Sequence, residues 1–598
     1  MRHFKMLAAL AISASFTSPL AAQEAADAVA PEGASAGAAA VLSDAARAAQ
    51  AAKDAGTPVV ADDWMVAAAN PLAVEAGARV LRAGGTAADA MVAVQAVLGL
   101  VEPQSSGLGG GAFLVWYDAS SGELTTLDGR ETAPLTATPR LFQTLDGERM
   151  GFWDAVVGGL SVGTPGTPAL METAQRKWGR ANWPSLFEDA IALADGGFEV
   201  SPRLAGLVAN DAERLSTFAP TANYFLPGGT PIAEGSTLTN AAYADTLRVM
   251  AEGGADAFYT GPIAEGIVAT VQNAPGNPGQ LSSLDLALYQ VKERPAVCAG
   301  YRGHQVCGMG PPSSGALTVG QILGQLSVFD LGKMGADSPD AWRLIGDASR
   351  QAFADRGRYM ADSDFVPVPT EGLVDAFYLA ERAAALTGDR ALESVSPGNP
   401  AFDHALNWAD NVSIELPSTS HISIVDGYGN ALSMTTTIEN GFGSRLMAPG
   451  GFLLNNELTD FSFRSHADGV PIANRVEPGK RPRSSMAPTI VMKGGEPVLV
   501  VGSPGGSRII GYVAKTIIAH LDWGMDVQEA IDMPHLVNRF GTYDVEEGTS
   551  ATDLGPALEA MGFEVNARGL TSGLHAISIG DRLLGGADPR REGIALGE

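Results

Sequence analysis

The 598-residue chain has only two cysteines, Cys298 and Cys307, and only eight histidines. Two thiols by themselves cannot complete a four-ligand zinc site. No two histidines stand at the H-E-x-x-H spacing that sets a pair of imidazoles on one helix face. No metal is therefore expected. Basic residues are scarce too: 39 Lys and Arg against 67 Asp and Glu leave a formal net charge of -28. So acidic a chain repels phosphate backbones and anionic lipid, which argues against nucleic acid as a partner. Long apolar runs are also missing. The run over residues 6–16 is too short to cross a bilayer, and none of about 18 residues follows it. Arg2, His3 and Lys5 precede that run and Pro19-Leu20-Ala21-Ala22 follow it, so residues 1–22 read as a signal peptide. The expected location is periplasmic or secreted, with no membrane attachment once the signal is removed. A dinucleotide fingerprint is missing as well. A G-x-G-x-x-A pattern can be drawn through residues 107–112, but it leads into a strand pattern and not a helix. Gly33-Ala34-Ser35-Ala36-Gly37 matches the serine-hydrolase elbow only in letters, because neither a strand nor a helix pattern flanks it.

The residues that are present describe a globular chain with many turns: 45% hydrophobic, with 72 Gly and 36 Pro. Export permits disulfides. The segment between Cys298 and Cys307 reads as a hairpin, which leaves either a bridge across it or two buried thiols. Residues 23–60 are dominated by Ala and read as a linker or a frayed helix. From residue 65 the pattern becomes organised. Asn70-Pro71 opens a helix over 72–82, and residues 86–100 form a second helix that is apolar on most faces. The glycine loop 107–111 runs into a strand, where missing side chains let a backbone approach a ligand or a neighbouring strand. Residues 160–400 are mostly helical, with no repeat and no long internal linker.

The stretch that organises the rest begins at Thr419. Residues 419–426 alternate polar and apolar as in a half-buried strand, Gly427-Tyr428-Gly429-Asn430 turn the chain, and residues 431–437 return. Farther on, a strand over 498–501 enters Gly502-Ser503-Pro504-Gly505-Gly506-Ser507-Arg508, which opens an apolar helix. Outward-pointing N–H groups at such a helix start stabilise an anion.

Ten segments occur here in the order seen in γ-glutamyltranspeptidases. Those around the strand pair and after it are Thr419-Ser420-His421, Thr435-Thr436-Thr437, the run from Leu454 to Phe461, the run from Arg483 to Thr489, and Gly502 to Arg508. The others are Asn70-Pro71, the Gly107 loop, Gly129-Arg130-Glu131, Pro311-Pro312-Ser313-Ser314-Gly315 and Ala587-Asp588-Pro589-Arg590. From about Met65 onward the chain therefore resembles that family. The resemblance implies an α+β fold, a four-layer αββα sandwich of the N-terminal-nucleophile hydrolase type. It implies autocatalytic cleavage between Ser418 and Thr419 into a large subunit, residues 61–418, and a small one, residues 419–598, which together build one composite domain. Thr419 would be the nucleophile and Thr437 its hydrogen-bonded support, and Gly505 and Gly506 would form the oxyanion hole. Arg130, with Ser484 and Ser485, would hold the α-carboxylate of a γ-glutamyl group, and Glu457 and Asp460 its ammonium. No cofactor is implied, and the substrate would be glutathione or a related small γ-glutamyl compound.

Three features depart from the family pattern. Glu439 stands where Asn is frequent and adds a third carboxylate near the ammonium site. Ser420 stands where Thr is frequent. The lid segment 462–479 is short and has no Tyr or Trp, which favours hydrolysis over transfer to an amine. Two alternatives share the resemblance. A cephalosporin (glutaryl-type) acylase would present no cation to Glu439, Glu457 and Asp460. An inactive exported binding protein would have no use for Thr419, Gly505 and Gly506.

Overall fold

The structure, a computed structural model, describes residues 42–404, 407–411, 415 and 418–598. The expected signal peptide and the Gly33 to Gly37 match lie outside these residues. Fourteen strands build two seven-stranded sheets: β1 (Val59–Ala61), β2 (Met65–Ala68), β3 (Gly111–Asp118), β4 (Glu123–Gly129), β5 (Lys292–Pro295), β6 (Val297–Tyr301), β7 (His304–Gly308), β8 (Thr419–Val425), β9 (Ala431–Thr437), β10 (Thr489–Lys493), β11 (Glu496–Gly502), β12 (His575–Ile579), β13 (Leu583–Ala587) and β14 (Ile594–Gly597). One sheet runs β14-β2-β8-β9-β3-β4-β5, and the other runs β1-β13-β12-β11-β10-β7-β6. Each sheet takes strands from both sides of Thr419, so the segments before and after it share one core.

The layers follow from side-chain alternation along the strands. Ile422 and Ile424 of β8 face the helices Pro71–Arg82 and Ala87–Val101 in one outer core. The second sheet packs its outer face on the helices Gly315–Leu326 and Ile509–Leu521. Between the sheets lie Met65, Val115, Val425, Ile490, Val500 and Ile577. The result is helix, sheet, sheet, helix. The helix Ala87–Val101 is buried along its whole length, as its all-round apolar sequence requires. Thr86 and Asp89 close a reciprocal capping box at its start.

Residues 42–60, part of the stretch expected as a linker or a frayed helix, are packed on the fold. A helix spans Asp44–Asp54, with Ala46 and Ala49 buried, and β1 pairs with β13. Small alanines let this helix lie close against the core, and Lys53 Nζ fixes its end by donating to the carbonyls of Arg591 and Gly593 at 3.0 and 2.8 Å. Low complexity here is thus a packed surface. Cys298 and Cys307 are cross-strand partners in the β6–β7 hairpin, and their sulfurs are bonded. Among the described residues no helix is long and apolar enough to cross a membrane.

Candidate active site

β8 and β9 pair so that Thr419 lies directly opposite Thr437. Their Oγ1 atoms are 3.1 Å apart. Thr437 Oγ1 also donates to the carbonyl oxygen of Ser418 at 2.9 Å, and the Glu439 amide donates to Thr437 Oγ1 at 2.9 Å. A hydroxyl has one proton. That of Thr437 goes to the Ser418 carbonyl, so the Thr419 hydroxyl must be the donor in the threonine pair. The peptide bond before Thr419 therefore has its carbonyl polarised, with a hydroxyl on the next residue. Ser418 Oγ donates to the carbonyl of Gln104 at 2.6 Å, and Arg591 Nη1 donates to the carbonyl of Thr419 at 2.9 Å, which pins both sides of that bond.

The glycine loop before β3 brings the backbone up to this strand end. A Cβ on Gly110 would lie 1.9 Å from the Thr437 carbonyl oxygen, so only glycine permits the approach. The partner of that loop is thus a neighbouring strand. On the far side, Gly505 has φ of +139° and leads into the turn Gly506–Arg508 and the helix Ile509–Leu521. Gly506 lines the same pocket as Thr419 and Thr437.

Acidic and basic side chains fill the opposite wall. Arg130, Glu457 and Asp460 all line the pocket, and Arg130 donates to both carboxylates. Its other donors reach the carbonyls of Pro482 at 3.2 Å and Arg483 at 2.9 Å. The sequence reading assigned Arg130 and this acidic pair to opposite ends of a substrate. In the structure they hold each other, because a buried guanidinium needs carboxylates to offset its desolvation. Glu131 adds a third carboxylate, 3.9 Å from Arg130. Burial pushes Glu131 up to about 8 against the pull of Arg130. Glu457 and Asp460 also lie well above the ordinary carboxylate range, first through burial and then, despite Arg130, through their acidic neighbours. One cation thus faces three buried carboxylates, and the cluster retains protons at neutral pH. A ligand cation entering here would favour the ionised carboxylates and release those protons.

Glu439 has φ of +76°, a left-handed conformation uncommon for a residue with a side chain. It lines the pocket, and Asn456 Nδ2 donates to its carboxylate. Asn455 ties the acidic turn to the glycine loop: its Nδ2 donates to the carbonyls of Gly109 and Gly163, and its Oδ1 accepts from the amide of Glu457 at 3.0 Å. The segment 462–479 also bears on this turn. Asn474 Nδ2 donates to the Asp460 carbonyl at 2.8 Å, and Phe463 stacks on Phe142.

Ser484 and Ser485 both line the pocket. Ser484 Oγ accepts from the Met486 amide at 3.1 Å. Ser485 is bonded to Glu415 and Arg356, two residues the sequence did not single out. Neither could be found by spacing, since an Arg within an amphipathic helix and a Glu in an irregular segment read as solvated charges. Glu131 was at least visible beside Arg130. Among the described residues no group of three or more His, Cys, Asp or Glu could hold a metal ion.

Two histidines sit behind the strand that Thr419 heads, between the sheets. Ser423 Oγ donates to the carbonyl of His575 at 3.0 Å, so His421 Nε2, 3.0 Å away, must be the protonated nitrogen. Its Nδ1 then accepts from Thr435 Oγ1 at 2.9 Å. Burial, reinforced by His575, holds His421 well below its ordinary value of 6.5, and burial takes His575 to about 3. Both are neutral in the fold, whereas the unfolded chain protonates them below pH 6.5. Their contribution is complete above that value and is lost as pH falls from 6.5 towards 3. Urea unfolding should therefore lose on the order of 2 kcal/mol per histidine between about pH 7.5 and about pH 5. His575→Asn should shrink that loss, and an unchanged pH slope in the variant would refute the assignment.

The Gamma-glutamyltranspeptidase family model matches residues 73–598. The chain is 38% identical over 551 residues to the glutathione hydrolase proenzyme of Bacillus subtilis (strain 168), covering 90% of this chain and 92% of that one. It is 37% identical over 549 residues to the glutathione hydrolase proenzyme of Escherichia coli (strain K12), covering 89% and 91%. The crystal structure of a cephalosporin acylase from Bacillus halodurans superposes with a TM-score of 0.80 at 26% identity, covering 91% of this chain and 97% of that one.

Proposed function

Because this chain belongs to the gamma-glutamyltranspeptidase family, we propose that it is a precursor that cuts itself before Thr419 and then cleaves γ-glutamyl amides such as glutathione. The observation that carries this reading is the arrangement of Ser418, Thr419 and Thr437, with the carbonyl before Thr419 polarised by the residue that also accepts the hydrogen bond of the Thr419 hydroxyl. In the first stage Thr419 Oγ1 attacks the Ser418 carbonyl carbon, the hydroxyl proton ends on the Thr419 nitrogen as the C–N bond breaks, and the acyl group passes to oxygen as an ester. Water hydrolyses the ester, which leaves a carboxylate on Ser418 and a free α-amine on Thr419.

In the second stage that amine, with an ordinary value of about 7.7 to 8.0, takes the proton of its own hydroxyl. Thr419 Oγ1 attacks the γ-carbonyl of the donor. The amides at Gly505 and Gly506 stabilise the oxyanion, a contribution worth on the order of 3 kcal/mol per donor in comparable sites. The proton passes to the leaving amine, and water or an acceptor amine releases the glutamyl group from the ester. Glu439, Glu457 and Asp460 supply the negative wall for the α-ammonium. The working enzyme would be the two pieces of one precursor, held together by the sheets they share, and its location periplasmic or secreted.

The cephalosporin acylase likeness supports a second reading, glutaryl transfer, on the same nucleophile. A glutaryl chain carries no ammonium, so it would leave the acidic wall without a counter-ion. Release of p-nitroaniline from γ-glutamyl-p-nitroanilide and from glutaryl-p-nitroanilide separates the two. The γ-glutamyl compound should have a kcat/KM at least about 100-fold higher, the scale of a lost charged contact. Faster turnover of the glutaryl compound would replace our reading with the acylase one.

A further inference from the structure

β9 ends at Thr437 and soon runs into Glu439-Asn440-Gly441-Phe442-Gly443-Ser444-Arg445. Among the described residues five other than glycine have a positive φ, and three of them fall in this loop: Glu439, Phe442 at +64° and Arg445 at +62°. Such backbone is unfavourable for a residue with a Cβ and persists only where its surroundings hold it. The start of the loop is held by the Thr437 hydroxyl and by Asn456 Oδ1, which accept from the amides of Glu439 and Asn440 at 2.9 and 3.0 Å. Two tight turns follow. The Gly443 amide donates to the Asn440 carbonyl at 2.7 Å, and the Arg445 amide to the Phe442 carbonyl at 3.0 Å.

The side chain of Arg445 closes the other end, and it is buried. Its Nη1 donates back to the Gly443 carbonyl at 2.6 Å and its Nε to Asp211 Oδ2 at 2.9 Å. The second oxygen of Asp211 accepts from Arg214 Nη1 at 2.8 Å. Both guanidinium groups lie over the ring of Trp153, that of Arg445 at 5.2 Å and that of Arg214 at 3.8 Å. A guanidinium is costly to bury, and what it offers over an uncharged brace is a planar fork that reaches the carbonyl and Asp211 at once. Asp211, Arg214 and Trp153 do not line the pocket of Thr419, and of the loop it is Glu439 that does. Burial holds Arg445 below its ordinary value, against the pull of Asp211 and Glu439, so its charge is felt as far as the Glu439 carboxylate.

We propose that Arg445 is a positioning residue for Glu439: clamped to Asp211 behind the pocket, it braces the strained loop so that the Glu439 carboxylate stays where the α-ammonium of the donor arrives. Arg445 touches no substrate and acts on specificity through the backbone it holds. This role rests on the γ-glutamyl reading above, and the substrate pair used there keeps the failure of one distinct from the failure of the other.

The rates to compare are those on γ-glutamyl-p-nitroanilide and on glutaryl-p-nitroanilide, which lacks the ammonium, normalised to the amount of chain beginning at Thr419. Arg445→Gln should raise KM for the γ-glutamyl compound by about 10-fold, change kcat by less than about threefold, and lower the preference over the glutaryl compound by about 10-fold. Arg445→Lys should recover part of that preference. Arg445→Gln strands the charge of Asp211, so the double variant with Asp211→Asn is measured beside it and should give the same values. Glu439→Gln alone should lower the preference at least as much, and adding Arg445→Gln to it should change KM by less than about threefold, because residues that act as one unit are not additive. A preference left intact by Arg445→Gln, with both substrates slowed alike, would overturn the proposal, as would the full KM effect persisting in the Glu439→Gln background. So would a double variant with Asp211→Asn that is never cut. The Phe442 amide donates to the same Gln104 carbonyl as Ser418 Oγ, and the loop would then serve the cut. Each of these leaves the γ-glutamyl reading standing. Faster turnover of the glutaryl compound by wild type would defeat that reading, and the role of Arg445 with it.

Discussion

Thr419→Ala will run as one uncut polypeptide on a denaturing gel and will hydrolyse γ-glutamyl-p-nitroanilide at least about 10⁵-fold more slowly than wild type, the scale of losing a nucleophile. Both effects have one cause. The Thr419 hydroxyl sits on the residue after the Ser418 carbonyl and is bonded to Thr437, which polarises that carbonyl, and the same oxygen would later attack the donor. The variant keeps the β8–β9 ladder, so Thr437 still polarises the Ser418 carbonyl, but nothing attacks it. Thr419→Ser keeps an oxygen at Cβ and should still be cut, more slowly, because the missing methyl frees the rotamer that β-branching restricts. A cleaved Thr419→Ala chain would show that another nucleophile or a contaminating protease makes the cut.

Removing Arg130 should have the next largest effect. Arg130→Met should lower kcat/KM by at least about 100-fold and cost roughly 3–5 kcal/mol of stability, because it strands Glu131, Glu457 and Asp460 in a buried site. The pH dependence gives this loss a signature. A carboxyl raised in the fold binds its proton more tightly there than in the unfolded chain, so stability falls as pH rises from the ordinary value to the folded one. For Glu131 that window runs from 4.5 to about 8. Without the cation all three groups move further up, so Arg130→Met should be markedly more stable at about pH 5 than at about pH 8. Activity should not return at the lower pH, since the wall that attracts the substrate cation is then protonated. Arg130→Lys should recover stability better than activity, because an ammonium restores charge without the planar fork. A variant with wild-type stability at both values would mean that the three carboxyls are already neutral.

Much of the fold was legible because the signals that set it are local. Alternation along residues 419–425, the turn at Asp426 to Asn430 and the return strand place Thr419 opposite Thr437 by counting residues through a tight hairpin. The Asn70-Pro71 start, the capping Thr86 and the all-apolar helix that follows are equally local. Residues 42–61 misled for the converse reason. Alanine carries little pattern, and whether an Ala-rich helix frays or packs depends on the surface it meets, here the last strands of the chain.

The candidate site divides along the same line. The sequence by itself determined that Thr419 heads a strand and that glycine loops flank it, and the family resemblance grouped Arg130, Glu439, Glu457, Asp460, Ser484 and Ser485 with it. Those side chains, with Thr419, Thr437 and Gly506, line one pocket, and Gly505 directly precedes the last of them. Only the tertiary structure decided which charge faces which. Arg130 and Glu457 are 327 residues apart, and Arg356 and Glu415 are 59 apart, separations over which no periodicity carries information. Partners in a buried ion pair are chosen by desolvation: each charge left alone inside the protein is so unfavourable that the folded chain must bring opposite charges together. That requirement paired Arg130 with the acidic turn and left Arg356 and Ser485 holding the carboxylate of Glu415.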